Sequence, residues 1–144
     1  MGIMEKLVYL RGHPLLGRAA RELLLVYGVD FPKEVSLGPE LQLQHRGMGT
    51  VIHPLTKIGR GVTLYHQVTI GRADAHVPWQ QSKMVGIEIG DGAVLYPGVK
   101  ILGGPGVTRV GESAIIAANA VVTCSVPDNE IWGGVPAKKL SDRA

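Results

Sequence analysis

Large aliphatic residues recur every six positions along most of this chain: Ile52, Ile58, Leu64 and Ile70, then Ile89, Leu95 and Ile101. After a nine-residue step the series continues through Val110, Ile116 and Val122, and an earlier stretch, Leu37-Gly38 and Leu43, joins it by a nine-residue step to Ile52. Four residues after most of these stands a small or β-branched residue, among them Thr56, Val62, Val68, Ala93, Val99, Ala114, Ala120 and Val126. Glycine often follows the aliphatic, as at Gly59, Gly71, Gly90 and Gly111. A period of six fits neither a 3.6-residue helix nor a single alternating strand. It predicts an all-β solenoid whose sides are one short strand and one turn each. The aliphatic points inward, the small residue fills the corner, and glycine lends the bend backbone freedom. Three sides close a coil of about eighteen residues, and about four coils stack as parallel strands.

Two segments break the phase. Residues 71–86 (GRADAHVPWQQSKMVG) carry Pro78, Trp79 and two glutamines and read as a loop protruding from the coil. Long loops in compact domains usually serve function. Residues 1–28 differ as well. Pro14 opens a helical pattern with Leu15, Leu16, Ala19, Ala20, Leu23 and Leu24 on one face, closed by Gly28, and a shorter helix precedes it at Met4 to Leu10. The expected organisation is a helical cap over 1–28 that covers the open first coil, and a β-solenoid over 29–144.

Composition narrows the class. Twenty glycines in 144 residues and a single Phe leave the interior to Val, Ile, Leu and Ala, which suits a narrow, repetitive core. Apolar content of 45% is too high for disorder. The longest apolar run, Leu23 to Tyr27, is too short to span a bilayer, and no secretory leader is evident. Cys124 alone permits no internal disulfide, fits a reducing cytoplasm, and reads as a small core residue. The net charge of +3 is scattered, with no Lys/Arg run to track a phosphate backbone, so a nucleic-acid partner is not expected.

The repeat and the closing run Gly133-Gly134-Val135-Pro136-Ala137-Lys138-Lys139 resemble the hexapeptide acyltransferases, and within them the serine O-acetyltransferase branch. The matching parts are Val29-Asp30, Leu43-Gln44-His45-Arg46-Gly47, Val68-Thr69-Ile70-Gly71 and Gly134-Val135-Pro136-Ala137. The resemblance implies a left-handed parallel β-helix, a homotrimer with active sites between subunits, and acetyl-CoA as acyl donor without a metal. It implies that a histidine at the end of a rung is the general base, oriented by an aspartate fifteen residues earlier. Asp30 and His45 stand at that spacing. A carboxylate beside an imidazole fixes its tautomer and stabilises the imidazolium formed when it takes a proton. The acceptor hydroxyl, once deprotonated by His45, attacks the thioester directly. A backbone N–H near the loop is the expected oxyanion donor.

A competing alignment makes His66 the base, since Ile52-His53-Pro54 and Leu64-Tyr65-His66 loosely repeat the earlier motif, but it puts Val51 where the aspartate should be. His45 is therefore preferred. Gln44 and His66 are assigned to the substrate, as is His76 in the loop, where the family carries a second acceptor-binding histidine. Gly71, Ala118, Lys138 and Lys139 are assigned to acetyl-CoA, the lysines as point charges for phosphate. Trp132 is expected to pack the last coil.

Departures from the family pattern bear on the acceptor. The residue before the base, acidic in serine acetyltransferases, is Gln44. The N-terminal helical part is short, and the tail that docks a partner sulfhydrylase has no counterpart here. The acceptor is accordingly a serine-like or sugar hydroxyl. Two other classes remain: a zinc hydratase of the trimeric β-helix type, for which the histidine gaps of 32, 8, 13 and 10 do not match the expected pair five apart, and a non-catalytic scaffold.

Overall fold

The six-residue aliphatic series forms the interior of the computed structural model, which describes all 144 residues; none of Ile52, Ile58, Leu64, Ile70, Ile89, Leu95, Ile101, Val110, Ile116 and Val122 is more than 3% exposed. The small residues that follow them, from Val62 to Val126, are buried as well. Around this interior run short strands: β1 (Ser36–Leu37), β2 (Gln42–Leu43), β3 (Val51–Ile52), β4 (Thr56–Ile58), β5 (Thr63–Leu64), β6 (Thr69–Arg72) and β7 (Met84–Ile89). The series continues with β8 (Val94–Leu95), β9 (Lys100–Gly103), β10 (Gly106–Val110), β11 (Ile115–Ile116), β12 (Val121–Val122), β13 (Glu130–Gly133) and β14 (Lys138–Asp142). Up to β12 the strands visit three sheets in rotation. The sheets have the orders β1-β4-β7-β10, β2-β5-β8-β11-β13-β14 and β3-β6-β9-β12, and every pairing is parallel except β13–β14.

Turn length varies more than the period predicts. Ile52 pairs with Ile70, eighteen residues on, but Leu37 pairs with Ile58 and Leu95 with Ile116, each twenty-one on. Leu64 pairs with Leu95, thirty-one on, because the loop intervenes. That loop is shorter than expected: β6 runs to Arg72 and β7 begins at Met84, leaving 73–83 outside the strands with a 3-10 turn at Trp79–Gln81. At the C-terminus Gly134 (φ 93°) and Pro136 turn the chain back. Strand β14 then lies antiparallel on β13 as an exposed edge.

One expectation about glycine needs correction. Gly38, Gly59, Gly90 and Gly111 do not adopt the left-handed backbone; they stack at one corner because nothing larger fits. A Cβ on Gly90 would sit 2.6 Å from the backbone N of Glu112 and 2.8 Å from the carbonyl carbon of Gly111. Backbone cannot swing aside as a side-chain tip can, so Gly90→Ala is expected to destabilise by about 1–3 kcal/mol, as other overpacked cores do. Gly71, with no atom within 4 Å of its would-be Cβ, is the control. Thermal melts in which both alanine variants behave alike would remove this account of the corner.

Two helices precede the strands: α1 (Ile3–Leu10) and α2 (Gly17–Val26). Helix α2 begins later than Pro14 because the Nδ1 of His13 accepts the Leu15 and Leu16 N–H groups and holds a turn there. Only Ala20 and Leu24 of its expected apolar face are buried; Leu15, Leu16 and Leu23 are exposed. Helix α1 satisfies backbone groups of the first turn. Glu5 accepts from Leu43 N, and the Tyr9 hydroxyl donates to Gly38 O while accepting from Leu41 N. Arg11, 7% exposed, donates to the carbonyls of Val8, Pro32 and Val35 and lies over the Phe31 ring. Cys124, expected inside, is exposed, whereas Trp132 packs on the core.

Candidate functional site

The strand register stacks four corners between the second and third sheets, the first of them longer than the rest. Leu43, Leu64, Leu95 and Ile116 end their rungs in line, so Gln44, Tyr65, Tyr96 and Ala117 form one column and His45, His66, Pro97 and Ala118 the next. The residue after each of these is left-handed: Arg46 (φ 60°), Gln67 (58°), Gly98 (75°) and Asn119 (59°). His45 is left-handed too (φ 51°), inside a 3-10 turn at Gln44–Gly47. Successive left-handed non-glycine residues are uncommon, and backbone outliers of this kind gather at functional sites.

In these columns the rings meet. His45 and His66 stand edge to face with centroids 5.0 Å apart, and Tyr65 stacks on Tyr96 at 5.1 Å. His45 lies 6.3 Å from Tyr65. His45 is exposed; His66 is half-buried, and its Nδ1 is shut away from solvent with no hydrogen-bond partner. Lys100 braces the corner by donating to the carbonyls of Gln67 and Gly98, both at 2.9 Å.

The expected Asp30–His45 pair does not form. No hydrogen bond or ion pair joins the two side chains within the chain. Asp30 instead pairs with Val51, twenty-one residues on, through Asp30 N to Thr50 O and Ile52 N to Asp30 O. Fifteen residues are therefore less than one turn here. The corner at 44–50 uses seven residues where the next turn, at 65–68, uses four, and the extra length separates His45 from the rung that Asp30 joins. Asp30 borders an open groove of about 590 Å³ on the third sheet, with Arg21, Glu34, His53, Thr69 and Gly71.

The remaining candidates are spread over the molecule. Gln44 and Ala118 lie in the stacked corner, whereas Gly71 opens onto the Asp30 groove. His76 is exposed on the loop and makes no ring contact or hydrogen bond with His45 or His66. The loop is folded around Arg72, which donates to Val77 O at 2.6 Å, pairs with Asp74 at 3.5 Å and lies over Trp79. The hydroxyl of Ser82, and then Arg72, hold the Asp74 carboxyl below its ordinary range against the opposing effect of burial. Lys138 and Lys139 lie on the exposed edge strand. Lys139 pairs with Asp142 (2.7 Å) and Glu130 (3.0 Å), and Asp142 contributes most to raising its pKa. Within the chain no three His, Cys, Asp or Glu side chains come together as a metal site. No helix is long and apolar enough to cross a membrane.

His53 adds a pH dependence. Burial, and secondarily Arg72, lower its pKa, while its Nδ1 accepts from Leu55 N. The folded state thus favours the neutral ring. The contribution is present above the ordinary imidazole value of about 6.5 and is lost as pH falls through the lowered folded value. The urea midpoint should drop on acidification below about pH 6.5, and His53→Gln should shrink that drop; an unchanged drop assigns it to other groups.

Sequence reasoning overlooked Tyr65, Tyr96 and Lys100. The doubled Leu-Tyr at 64–65 and 95–96, one rung apart in register, was the available signal.

No family model matches the chain. It is similar to a serine acetyltransferase of Helicobacter pylori (strain J99), 31% identical over 148 residues, which cover 97% of this chain and 81% of that protein. A Mycobacterium tuberculosis serine acetyltransferase is 35% identical over 135 residues, or 90% of this chain and 53% of that one. Among solved structures, a Brucella abortus serine acetyltransferase in complex with coenzyme A superposes with a TM-score of 0.78 at 25% identity, over 98% of this chain and 54% of that one. A Neisseria gonorrhoeae serine acetyltransferase in complex with serine gives 0.73 at 30% identity, over 93% and 51%. The chain spans about half the length of these relatives, the Helicobacter pylori protein excepted.

Proposed function

The chain belongs to the serine acetyltransferase family, and from that membership we propose that it moves an acetyl group directly from acetyl-CoA onto the hydroxyl of serine or another small alcohol. In this reading the three rotating sheets wind as a left-handed parallel β-helix over 29–144, capped by 1–28. Three chains assemble so that each acetyl-CoA lies between neighbours. Relatives solved with coenzyme A and with serine support the two substrate classes.

His66 is the base in this reading. The observation that carries it is the half-buried ring whose Nδ1 is closed off and unpartnered, leaving Nε2 as the nitrogen to work with. Nε2 takes the proton of the acceptor hydroxyl, whose oxygen bonds to the acetyl carbon. The carbon–sulfur bond then breaks, and the departing thiolate recovers the proton from the imidazolium. Coenzyme A is already a good leaving group, so no covalent acyl-enzyme is needed. His45 walls the ring of His66 edge-on and helps to hold its orientation. His45 lacks the carboxylate partner that its role as base requires, because the register joins Asp30 to Val51 instead.

The experiment is thiol release from acetyl-CoA with serine and a panel of sugar alcohols and sugars as acceptors. Release that depends on one acceptor supports the transferase. Silence across the panel, with acetyl-CoA failing to bind, would favour the scaffold reading.

A further inference from the structure

Between the two helices and the start of the first turn lies a cavity of about 390 Å³ that no hydrophobic side chain lines. Arg11, Arg18, Arg21 and Lys33 converge on it, with His13 and a single carboxylate, Glu22. None of these four cations takes part in an ion pair, although six ion pairs form elsewhere. Arg11 stands out. Its guanidinium is buried, yet its partners are three neutral carbonyls, and these occupy only three of its five N–H groups. Burial weakens its hold on the proton despite the long-range pull of Tyr9 and Glu34. Buried charges are ordinarily paired, and four cations gathered around one carboxylate repel one another. An anion in the cavity would answer both.

We propose that this cavity binds a compact polyvalent oxyanion of the phosphate type. Guanidinium forks match phosphate oxygens in pairs, and Lys33 adds a point charge. The lack of apolar lining leaves no purchase for a ligand with a large hydrophobic body. The site lies on the helical part of the chain, does not use the histidine corner, and does not depend on the acetyl-transfer reading.

Inorganic pyrophosphate is the probe, titrated calorimetrically into the full chain at low ionic strength. One site per chain is expected, weakened by added salt. Combined Arg21→Gln and Lys33→Gln should weaken binding at least about tenfold, the loss of two charge-assisted contacts. Pyrophosphate should raise the Tm of the parent protein and not that of the variant. Both side chains contact solvent, and the single variants serve if the double variant does not fold. Three results overturn the proposal: no saturable heat, binding undiminished in every variant, or displacement of pyrophosphate by acetyl-CoA, which would move it to the coenzyme site.

Discussion

Replacing His66 with Ala is expected to lower turnover by about 10²–10⁴-fold, the range typical of a lost general base, while the protein stays folded. The two halves of this expectation have one cause. In the resting chain the Nδ1 of His66 is buried and unpartnered, an arrangement that costs stability. Removing the ring relieves that cost, so the variant should melt at the same temperature as the parent or somewhat above it. A site that gains stability when its reactive group is deleted is the ordinary signature of function held against folding. His45→Ala should cost less, because the exposed ring wedges against His66 edge-on and is not itself held in place by a hydrogen bond. The pH profile separates the roles. Loss of a base removes the acidic limb of kcat, whereas loss of a positioning ring shifts that limb without abolishing it. If His45→Ala abolishes turnover and His66→Ala spares it, the base is His45, and its carboxylate partner must come from a neighbouring subunit.

How far the sequence alone could reach is clear from particular residues. The interior was legible because each inward position must be aliphatic and each neighbouring corner position small, a constraint repeated in Ile52, Ile70, Ile101 and Val122. Turn lengths were not legible, because extra residues at 44–50 and 73–83 leave the interior phase intact while shifting what lies above what. Asp30 and His45 fell into that gap: fifteen residues is near one turn only where no corner is enlarged. The steric glycines are visible in the sequence as a pattern, but their cause is not. A sequence cannot distinguish a glycine needed for its backbone angles from one needed because Glu112 N lies 2.6 Å from its absent Cβ. Helix α2 shows a third limit. An apolar stripe predicts a buried face, but only Ala20 and Leu24 meet the core, and the register of a ten-residue helix on its support is a tertiary matter.

Arg11→Met should destabilise the chain by about 3 kcal/mol, from one carbonyl left without a donor and two left with weaker ones, the largest loss expected of any single substitution considered. Methionine keeps much of the stem that packs near Phe31 and removes the guanidinium. The three carbonyls then fare differently. Val8 O and Pro32 O each retain a second, longer bond at 3.3 Å, from Arg11 N and Val35 N, whereas Val35 O has no other donor. One fully orphaned buried carbonyl costs about 1–3 kcal/mol, and the two weakened ones add about 1 kcal/mol each. Loss of the cation over Phe31 adds up to about 1–2 kcal/mol. Against these stands the relief of removing a buried charge, which is why the net figure lies below their sum. Arg11→Lys should recover little, since an ammonium cannot reach three carbonyls set apart in a fork. Urea titrations give the number, and hydrogen exchange gives the place: α1 and the first turn should open before the later strands, because Arg11 ties the end of α1 to Pro32 and Val35. Uniform loosening along the whole chain would show that the first turn is not held by this residue. A midpoint shift worth less than about 0.5 kcal/mol, the size of an ordinary surface change, would show that the guanidinium charge, once buried, costs as much as its hydrogen bonds return.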